Sequence, residues 1–327
     1  MGVVIARAPH DLLDQARQGS RAALARLISY AEGGGGEHLA TAALAYAARA
    51  PYVVGLTGAP GAGKSTLTDQ LITAALTHAA SIADPPDAET MCAGVAVLCV
   101  DPSSPFSGGA LLGDRFRMQS HATDARVYIR SLATRGNLGG LSRAVPDAVR
   151  ILGAVGFELV LLETVGVGQV EVEVAANADT TVVVVTPAWG DAVQAEKAGI
   201  LEVADVFVIN KADRVGSLET RRDLERMLDM GLESSWRPPV VETVASDGRG
   251  IDELWSALSS HRSYLTGGEG ERRRRRRAAH ELDRVVSALA QRDARTGGRA
   301  QHYEEQLDAL LAGTTDPYRA ARALFLQ

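Results

Sequence analysis

The sequence lacks several features that mark particular classes of protein. It has two cysteines in 327 residues, Cys92 and Cys99, which give neither a disulfide framework nor a metal-ligand spacing. No apolar run is long enough to span a membrane, and Asp11 and Asp14 interrupt the N-terminus too early for a secretory signal. These absences predict a soluble protein of the reducing cytoplasm.

Aromatic residues and net positive charge are also scarce. Aromatic residues make up 5% of the chain and hydrophobic residues 46%, which predicts a large aliphatic core. The formal net charge is −6, so nucleic acid and anionic membranes are poor default partners. The one basic run, Arg272–Arg277, follows Glu269 and Glu271 without interleaved aromatic residues, which favours a solvated face or a partner contact over nucleic-acid binding.

The apolar segments alternate between two patterns. Short runs rich in β-branched residues are continuous, as in strands buried on both faces, and they lie at 52–57, 95–101, 127–132, 159–164, 180–186, 206–211 and 240–245. Helical periodicity separates most of them, at 64–78, 141–154, 191–203 and 218–230. This order predicts a doubly wound α/β domain with a mostly parallel sheet, in which ligands bind at the carboxyl ends of the strands.

The sequence predicts helices at both ends of the chain. Residues 9–47 have helical spacing with a glycine-rich break at 32–38, and the chain from about residue 252 is helical and charged, with a break at 266–271. We therefore expect an N-terminal helical segment at 1–50, the α/β domain at 51–254 and a C-terminal helical arm at 255–327.

A glycine-rich loop follows the first predicted strand and opens a predicted helix. It fits the template G-x-x-x-x-G-K-[ST] in the context in which that template binds nucleoside triphosphates. Backbone N–H groups would hold the phosphates, Lys64 would reach the β- and γ-phosphates, and Ser65 would ligate Mg²⁺. The predicted phosphate-binding residues are Gly58, Ala59, Pro60, Gly61, Ala62, Gly63, Lys64, Ser65 and Thr66.

The motif NKAD at 210–213, after the sixth predicted strand, indicates which base is bound. The Asp213 carboxylate can accept two hydrogen bonds from the N1–H and exocyclic amine of guanine, a donor pair that adenine lacks. GTP and its product GDP are therefore the predicted ligands. The segment 243–250 would lie behind the base, although Val244 stands where many GTPases have Ser. The predicted base-binding residues are Asn210, Lys211, Asp213 and Ala245.

Acidic residues after two strands are candidates for the magnesium site. Glu163 lies three residues before Gly166, so its carboxylate could hold Mg²⁺ through water while the Gly166 N–H senses the γ-phosphate. Val167 stands where a Ras-like enzyme has its water-orienting Gln, which predicts slow unstimulated hydrolysis. The predicted metal-binding residues are Ser65, Asp101, Asp114 and Glu163.

Four longer stretches closely resemble the MeaB/ArgK GTPases, P-loop proteins of the SIMIBI class. They are DPSSPFSGGALLGDRFRM, RSLATRGNLGGLS, ETVGVGQVEVEVA and WGDAVQAEKAGILEVADVFVINKAD, and the resemblance runs from about residue 20 to the last residue. It implies a GTPase chaperone of an adenosylcobalamin-dependent acyl-CoA mutase such as methylmalonyl-CoA mutase. The chaperone would gate cofactor delivery and protect or reactivate the mutase, and it would meet adenosylcobalamin only through that partner. The resemblance also implies a homodimer joined through residues 255–327.

The resemblance further implies a third switch, meaning a segment beside the nucleotide that changes position when the partner binds. Asp191 and Lys197, six residues apart, match a switch that repositions on meeting the mutase and brings Lys197 to the nucleotide, which would complete the site left open at Val167. Asn137 and Val170 depart from the family's usual His and Ser. The predicted catalytic residues are therefore Lys64, Glu163, Asp191 and Lys197.

Two alternative functions are compatible with the same nucleotide motifs. A GTP-gated binding module would hydrolyse GTP negligibly. A metallochaperone GTPase serving nickel enzymes would need a Cys/His metal site, whereas the seven histidines are scattered and neither cysteine has a partner at ligand spacing.

Overall fold

The structure, a computed structural model, describes residues 8–33, 36–82, 94–101, 118–121, 123–133, 144–164, 170–187, 203–230 and 235–325. The strands are β1 (Tyr52–Thr57), β2 (Val95–Asp101), β3 (Val127–Ala133), β4 (Leu159–Thr164), β5 (Thr180–Val185), β6 (Val206–Asn210) and β7 (Val240–Thr243). The helices are α1 (Pro9–Arg17), α2 (Arg21–Gly33), α3 (Gly36–Tyr46), α4 (Lys64–Ile82), α5 (Val145–Val155), α6 (Val170–Asn177), α7 (Ser217–Asp229), α8 (Ile251–Tyr264), α9 (Gly268–Arg295), α10 (Ala300–Leu311) and α11 (Pro317–Phe325).

The strands form one sheet in the order β3-β2-β4-β1-β5-β6-β7, and every neighbouring pair is parallel. This confirms the predicted doubly wound α/β fold. Strand β1 lies in the middle, and Val54 pairs with Leu161 of β4 on one side and Thr180 of β5 on the other. The carboxyl end of β1 is therefore at the point where the strand order reverses, which is the ligand-binding position in sheets of this kind.

Alternate residues of each strand pack against helices on opposite faces of the sheet. In β4, Val160 and Leu162 join a buried cluster that includes residues of α1, α2 and α5. Leu161, between them, packs in a cluster with Leu67 and Leu71 of α4. Fully burying one such aliphatic side chain contributes about 1.5–3 kcal/mol. Because side chains alternate along a strand, Glu163 lies on the face of β4 that α4 covers.

The observed strand bounds agree with the predicted ones to within two residues. The helix predicted at 191–203 lies almost entirely outside the described residues, whereas α4, α5 and α7 lie at three other predicted helices. The predicted breaks were too long. Helix α2 extends to Gly33 and α3 begins at Gly36, and α9 begins at Gly268 inside the break predicted at 266–271. A Cβ at Gly270 would lie 1.8 Å from the carbonyl oxygen of Leu265, so glycine allows α9 to begin against the preceding turn.

Backbone contacts divide the chain into two compact units, Met1–Gly270 and Glu271–Gln327. In the first unit, α1, α2 and α3 pack on one another and on α5, which covers one face of the sheet. In the second, α10 and α11 contact each other. No helix among the described residues is both long and apolar enough to cross a membrane. The division at residues 50 and 254 stays a prediction.

Candidate nucleotide-binding site

The phosphate loop connects the carboxyl end of β1 to the first turn of α4. Lys64 and Ser65 begin the helix, and only 6% and 4% of their surfaces are exposed. The Lys64 Nζ donates hydrogen bonds to the carbonyl oxygens of Gly58 at 2.7 Å and Ala59 at 3.1 Å. The ammonium group is therefore held within the loop beside a helix N-terminus, where the helix dipole and free N–H groups favour an anion.

Two glycines let the loop approach the neighbouring strands closely. Gly58 has φ of 138°, and a Cβ there would lie 2.1 Å from the carbonyl oxygen of Val184 in β5. Gly63 has φ of 93°, and its Cβ would lie 2.3 Å from Nδ2 of Asn210. Both positions combine a backbone conformation that disfavours side chains with a lack of room, so glycine is sterically required at 58 and 63.

Glu163 lies beneath the loop and receives two hydroxyl donors from α4. The Ser65 Oγ donates to Oε1 at 2.6 Å, and the Thr68 Oγ1 is 3.0 Å from Oε2. Glu163 is 3% exposed. Hydrogen bonds from neutral donors to a carboxylate are stronger than those between neutral groups, which compensates for part of the cost of burying the acid.

Asn210, the last residue of β6, joins three segments of the site. Its Nδ2 donates to the carbonyl oxygen of Ala62 in the phosphate loop at 2.8 Å. Its Oδ1 accepts hydrogen bonds from the Ala245 N–H at 3.1 Å and from the Thr243 hydroxyl at 3.2 Å. All four residues are buried. Asn210 therefore fixes the phosphate loop relative to the segment after β7 that is predicted to lie behind the base.

Lys211 and Asp213 follow on the loop after β6. Lys211 has φ of 60°, a left-handed conformation that is uncommon outside glycine, and its Nζ donates to the Gly61 carbonyl oxygen at 2.7 Å. The Ala212 N–H donates to the Thr243 carbonyl oxygen at 3.0 Å. Asp213 is exposed, so its carboxylate is accessible to a ligand at this end of the sheet.

The structure brings together most of the residues predicted to bind nucleotide. The phosphate loop, Glu163, Asn210 and Lys211 share hydrogen bonds, and Thr66 lies exposed in the first turn of α4. Asp101 ends β2, two residues after the pair between Cys99 and Glu163, so its backbone lies at the same edge of the sheet. The remaining predicted site residues lie outside the described residues and are Asp114, Gly166, Asp191 and Lys197.

Sequence reasoning assigned no individual role to two hydroxyl residues of the site, Thr68 and Thr243, although Thr243 begins the segment predicted to lie behind the base. Thr243 ends β7 and binds Asn210, and Thr68 binds Glu163. The only signal for Thr68 is its spacing, since a residue four positions after Lys64 lies one helical turn beyond it on the same side. A polar residue among the apolar residues of the buried face of α4 could have been noticed on that basis.

The donor atoms at Ser65 and Glu163 fit a magnesium ion. Both are hard oxygen donors, the kind that Mg²⁺ prefers, and they lie within hydrogen-bonding distance of each other. Among the described residues, no group of three or more His, Cys, Asp and Glu side chains could hold a metal by itself. A site of this kind suits Mg²⁺, which is usually bound by one or two protein ligands together with substrate phosphates and water.

Comparison with known proteins identifies the family. The family model described as methylmalonyl-CoA mutase-associated GTPase MeaB matches residues 24–297. A Pyrococcus abyssi protein assigned as a GTPase is 43% identical over 317 residues, which cover 95% of this chain and 94% of that protein. A fused isobutyryl-CoA mutase of Geobacillus kaustophilus is 38% identical over 264 residues, which are 76% of this chain and 23% of that protein.

A solved structure agrees with this result. The crystal structure of an LAO/AO transport system kinase matches 99% of this chain and 98% of its own, with a TM-score of 0.67 and 25% sequence identity. The family match covers the phosphate loop, Glu163 and the NKAD motif, whose contacts in the structure join one site. The chain belongs to the MeaB family of P-loop GTPases.

Proposed function

We propose that this protein hydrolyses GTP slowly by itself and couples GTP turnover to an adenosylcobalamin-dependent acyl-CoA mutase. It would gate delivery of the cofactor and protect or reactivate the mutase. The observation that carries the nucleotide part is the position of Asn210, which binds the phosphate loop through Ala62 and the base-side segment through Ala245. A nucleotide that binds both segments would therefore be held in one position relative to them.

Guanine specificity depends on Asp213. Its exposed carboxylate would accept two hydrogen bonds from guanine, and binding adenine would leave that carboxylate desolvated without donors. Lys211 supports this loop by its hydrogen bond to Gly61. ATP is therefore a poor substrate in this proposal.

Four residues would prepare the phosphates for attack by water. Lys64, now bonded to loop carbonyls, would donate to the β- and γ-phosphate oxygens. Ser65 and Glu163, with Asp101 and Asp114 as further candidates, would hold Mg²⁺. The ion, when bound, neutralises charge that develops on the phosphate oxygens. Gly166 would contribute its N–H to the γ-phosphate.

Contact with the mutase would supply the catalytic group that the nucleotide site lacks. Val167 supplies no group that orients water, so basal turnover is slow in this proposal. Asp191 and Lys197 would form a third switch that the mutase repositions, bringing the Lys197 ammonium to the nucleotide. A positive charge delivered in this way can raise the rate of phosphoryl transfer by orders of magnitude.

The client assignment is supported by relatives. The family is described as methylmalonyl-CoA mutase-associated, and a segment of a fused isobutyryl-CoA mutase is 38% identical to this chain. A sequence of this type can therefore share one polypeptide with an acyl-CoA mutase. Methylmalonyl-CoA mutase is the first client to test, and isobutyryl-CoA mutase is the second.

A homodimer joined through residues 255–327 is also part of the proposal. Helix α9 has four apolar side chains that are 40–62% exposed, at spacings of three, one and three residues; they are Leu282, Val285, Val286 and Leu289. Such spacing forms one apolar stripe along a helix. An identical stripe on a second copy would cover it, and sedimentation of the purified chain would report the dimer.

The lysine content of the chain offers a direct test of the switch. The chain has three lysines, Lys64, Lys197 and Lys211, and each lies in a predicted nucleotide motif. Amine labelling read by mass spectrometry can therefore follow all three. Lys64 is 6% exposed and should be labelled slowly in every state. We expect a non-hydrolysable GTP analogue alone to protect Lys211, and added mutase to protect Lys197 as well. Labelling of Lys197 that is unchanged by mutase would contradict the switch.

Kinetics of Lys197→Ala provide the matching test. The variant should retain basal GTP hydrolysis and lose stimulation by the mutase, whereas Lys197→Arg should retain part of the stimulation because the charge remains. Negligible hydrolysis by the wild type under all conditions would instead favour a GTP-gated binding module.

A further inference from the structure

We propose that Thr68 is a positioning residue for the magnesium site, holding the carboxylate of Glu163 so that its Oε1 stays against Ser65. This inference rests on the proposed roles of Ser65 and Glu163 in binding Mg²⁺. Thr68 itself touches neither nucleotide nor metal in this proposal. Its effect passes through Glu163.

The geometry joins the carboxylate to α4 at two points. Ser65 Oγ donates to Oε1 of Glu163 at 2.6 Å, and Thr68 Oγ1 lies 3.0 Å from Oε2. Thr68 is completely buried and Glu163 nearly so. Two donors on the two oxygens fix both the direction of the carboxylate and the rotation of its plane, whereas one donor would fix only the direction.

The Thr68 hydroxyl has a choice of acceptors, and the carboxylate is the stronger one. The carbonyl oxygen of Lys64 is also 3.0 Å from Oγ1, as is common for threonine in a helix. A hydroxyl carries one proton, and a charged oxygen accepts it more favourably than a neutral carbonyl. The Lys64 carbonyl also has the helical N–H donor one turn later. The hydroxyl therefore donates to Glu163.

The length of the glutamate side chain explains why a second donor matters. Glutamate has one more rotatable bond than aspartate, so more rotamer freedom must be lost to hold its carboxylate in one place. Ser65 is itself a predicted ligand, and its hydroxyl can turn between the metal and the acid. The hydrogen bond from Thr68 does not depend on the orientation of Ser65. It would keep Glu163 in place both before and after the ion binds.

The test measures how strongly Mg²⁺ improves nucleotide binding. The Kd of a fluorescent non-hydrolysable GTP analogue is measured in saturating Mg²⁺ and in excess EDTA. The Kd in EDTA divided by the Kd in Mg²⁺ reports how strongly the ion and the analogue favour each other's binding. Thr68→Val keeps the side-chain shape and removes the hydroxyl. We expect the ratio to fall about fivefold to tenfold, as for a weakened hydrogen bond to a charged group, while the Kd in EDTA changes little.

Two variants separate positioning from folding. Thr68→Ser keeps the hydroxyl and should retain the wild-type ratio. Thr73→Val removes a hydroxyl from the same helix at an exposed position, where it bonds the Asp69 carbonyl oxygen at 3.3 Å, and should also leave the ratio unchanged. If Thr68→Val does not fold, Thr68→Ala with the same hydroxyl loss and less bulk replaces it.

The outcomes are distinguishable. A hydroxyl-free variant with a lower Tm and an unchanged ratio would overturn the inference and leave Thr68 a structural residue. A wild-type protein whose analogue binding does not respond to Mg²⁺ would overturn the magnesium site itself, and with it the basis of the inference. A reduced ratio in Thr68→Val, with wild-type ratios in Thr68→Ser and Thr73→Val, supports the role.

Discussion

The side-chain amide of Asn210 donates a 2.8 Å hydrogen bond to the carbonyl oxygen of Ala62. This contact joins the end of β6 to the phosphate loop, across 148 positions of sequence. The same side chain accepts a hydrogen bond from the Ala245 N–H. The two halves of the proposed nucleotide site therefore depend on one buried side chain.

Asn210→Ala should weaken both the fold and nucleotide binding. It leaves the buried Ala62 carbonyl, the Ala245 N–H and the Thr243 hydroxyl without this partner, and each buried group left unpaired costs about 1–3 kcal/mol. We expect a lower free energy of unfolding and at least a roughly tenfold loss of GTP affinity by calorimetry. Gln301→Ala, on the exposed surface of α10, is the control and should change neither. Unaltered GTP binding in Asn210→Ala would contradict this role.

Asp213→Asn should change which base is bound. An amide offers one acceptor and one donor, so it cannot accept both guanine hydrogen bonds, but its N–H₂ can donate to the C2 carbonyl of xanthine. We expect GTP affinity to fall by about a hundredfold or more and xanthosine triphosphate to become the better ligand. Competition binding with GTP, ATP and xanthosine triphosphate measures this directly. A variant that still prefers GTP would remove Asp213 from base recognition.

Gly63→Ala should disrupt the phosphate loop through a steric clash. Its Cβ would lie 2.3 Å from Nδ2 of Asn210, in addition to the strain of φ at 93°. Gly313→Ala provides a matched control, because that residue has φ of 68° and open space around the position of its Cβ. Both variants should lose about 1 kcal/mol through strain, and only Gly63→Ala should also lose GTP binding. Equal effects of the two variants in thermal unfolding and in binding would argue against the clash.

The free energy of unfolding should fall at alkaline pH because the buried Tyr52 hydroxyl resists ionisation in the folded protein. Burial raises the pKa of the Tyr52 hydroxyl above its ordinary value of 10.0, although a hydrogen bond with Thr180 opposes the shift. The unfolded chain therefore releases this proton more readily, so the stabilising contribution is complete below pH 10 and is lost as pH rises above it.

Tyr52→Phe tests this dependence. The variant should lose less stability than the wild type as pH rises above 10 in urea unfolding. Tyr318→Phe, at an exposed position, removes a tyrosine without a buried hydroxyl and should follow the wild type. Parallel pH profiles for wild type and Tyr52→Phe would show that Tyr52 does not control the alkaline loss.

The sheet could be predicted from sequence because its strands are short apolar runs with few alternatives. Runs such as Leu159–Thr164 are buried on both faces, and their bounds follow from where polarity and glycine return. The start of α9 could not be predicted in this way. Glycines at 267, 268 and 270 indicate a break, but Gly270 instead allows close packing against Leu265. Close approach of backbone to backbone leaves no periodic signal.

Sequence templates select the candidate site residues whose backbone a motif fixes, and their role in nucleotide binding stays a prediction. The phosphate loop and Asn210 are selected by such templates, and in the structure the Asn210 side chain donates a hydrogen bond to the loop at Ala62. Thr68 belongs to no template, and Thr243 is expected only as the start of the segment behind the base; each contacts a buried polar side chain of the site. The role of such residues is hard to assign from the sequence because their spacing from the partner is arbitrary, 95 positions for Thr68 and Glu163. For Thr68 the sequence offers only a polar side chain on the buried face of α4.

Coupling of GTP turnover to a mutase is measured by steady-state hydrolysis of GTP and ATP with and without an acyl-CoA mutase. We expect slow GTP turnover that rises severalfold with methylmalonyl-CoA or isobutyryl-CoA mutase, and a kcat/KM for ATP lower by about a hundredfold or more. Equal use of ATP and GTP, or a GTP turnover that neither mutase changes, would contradict this expectation.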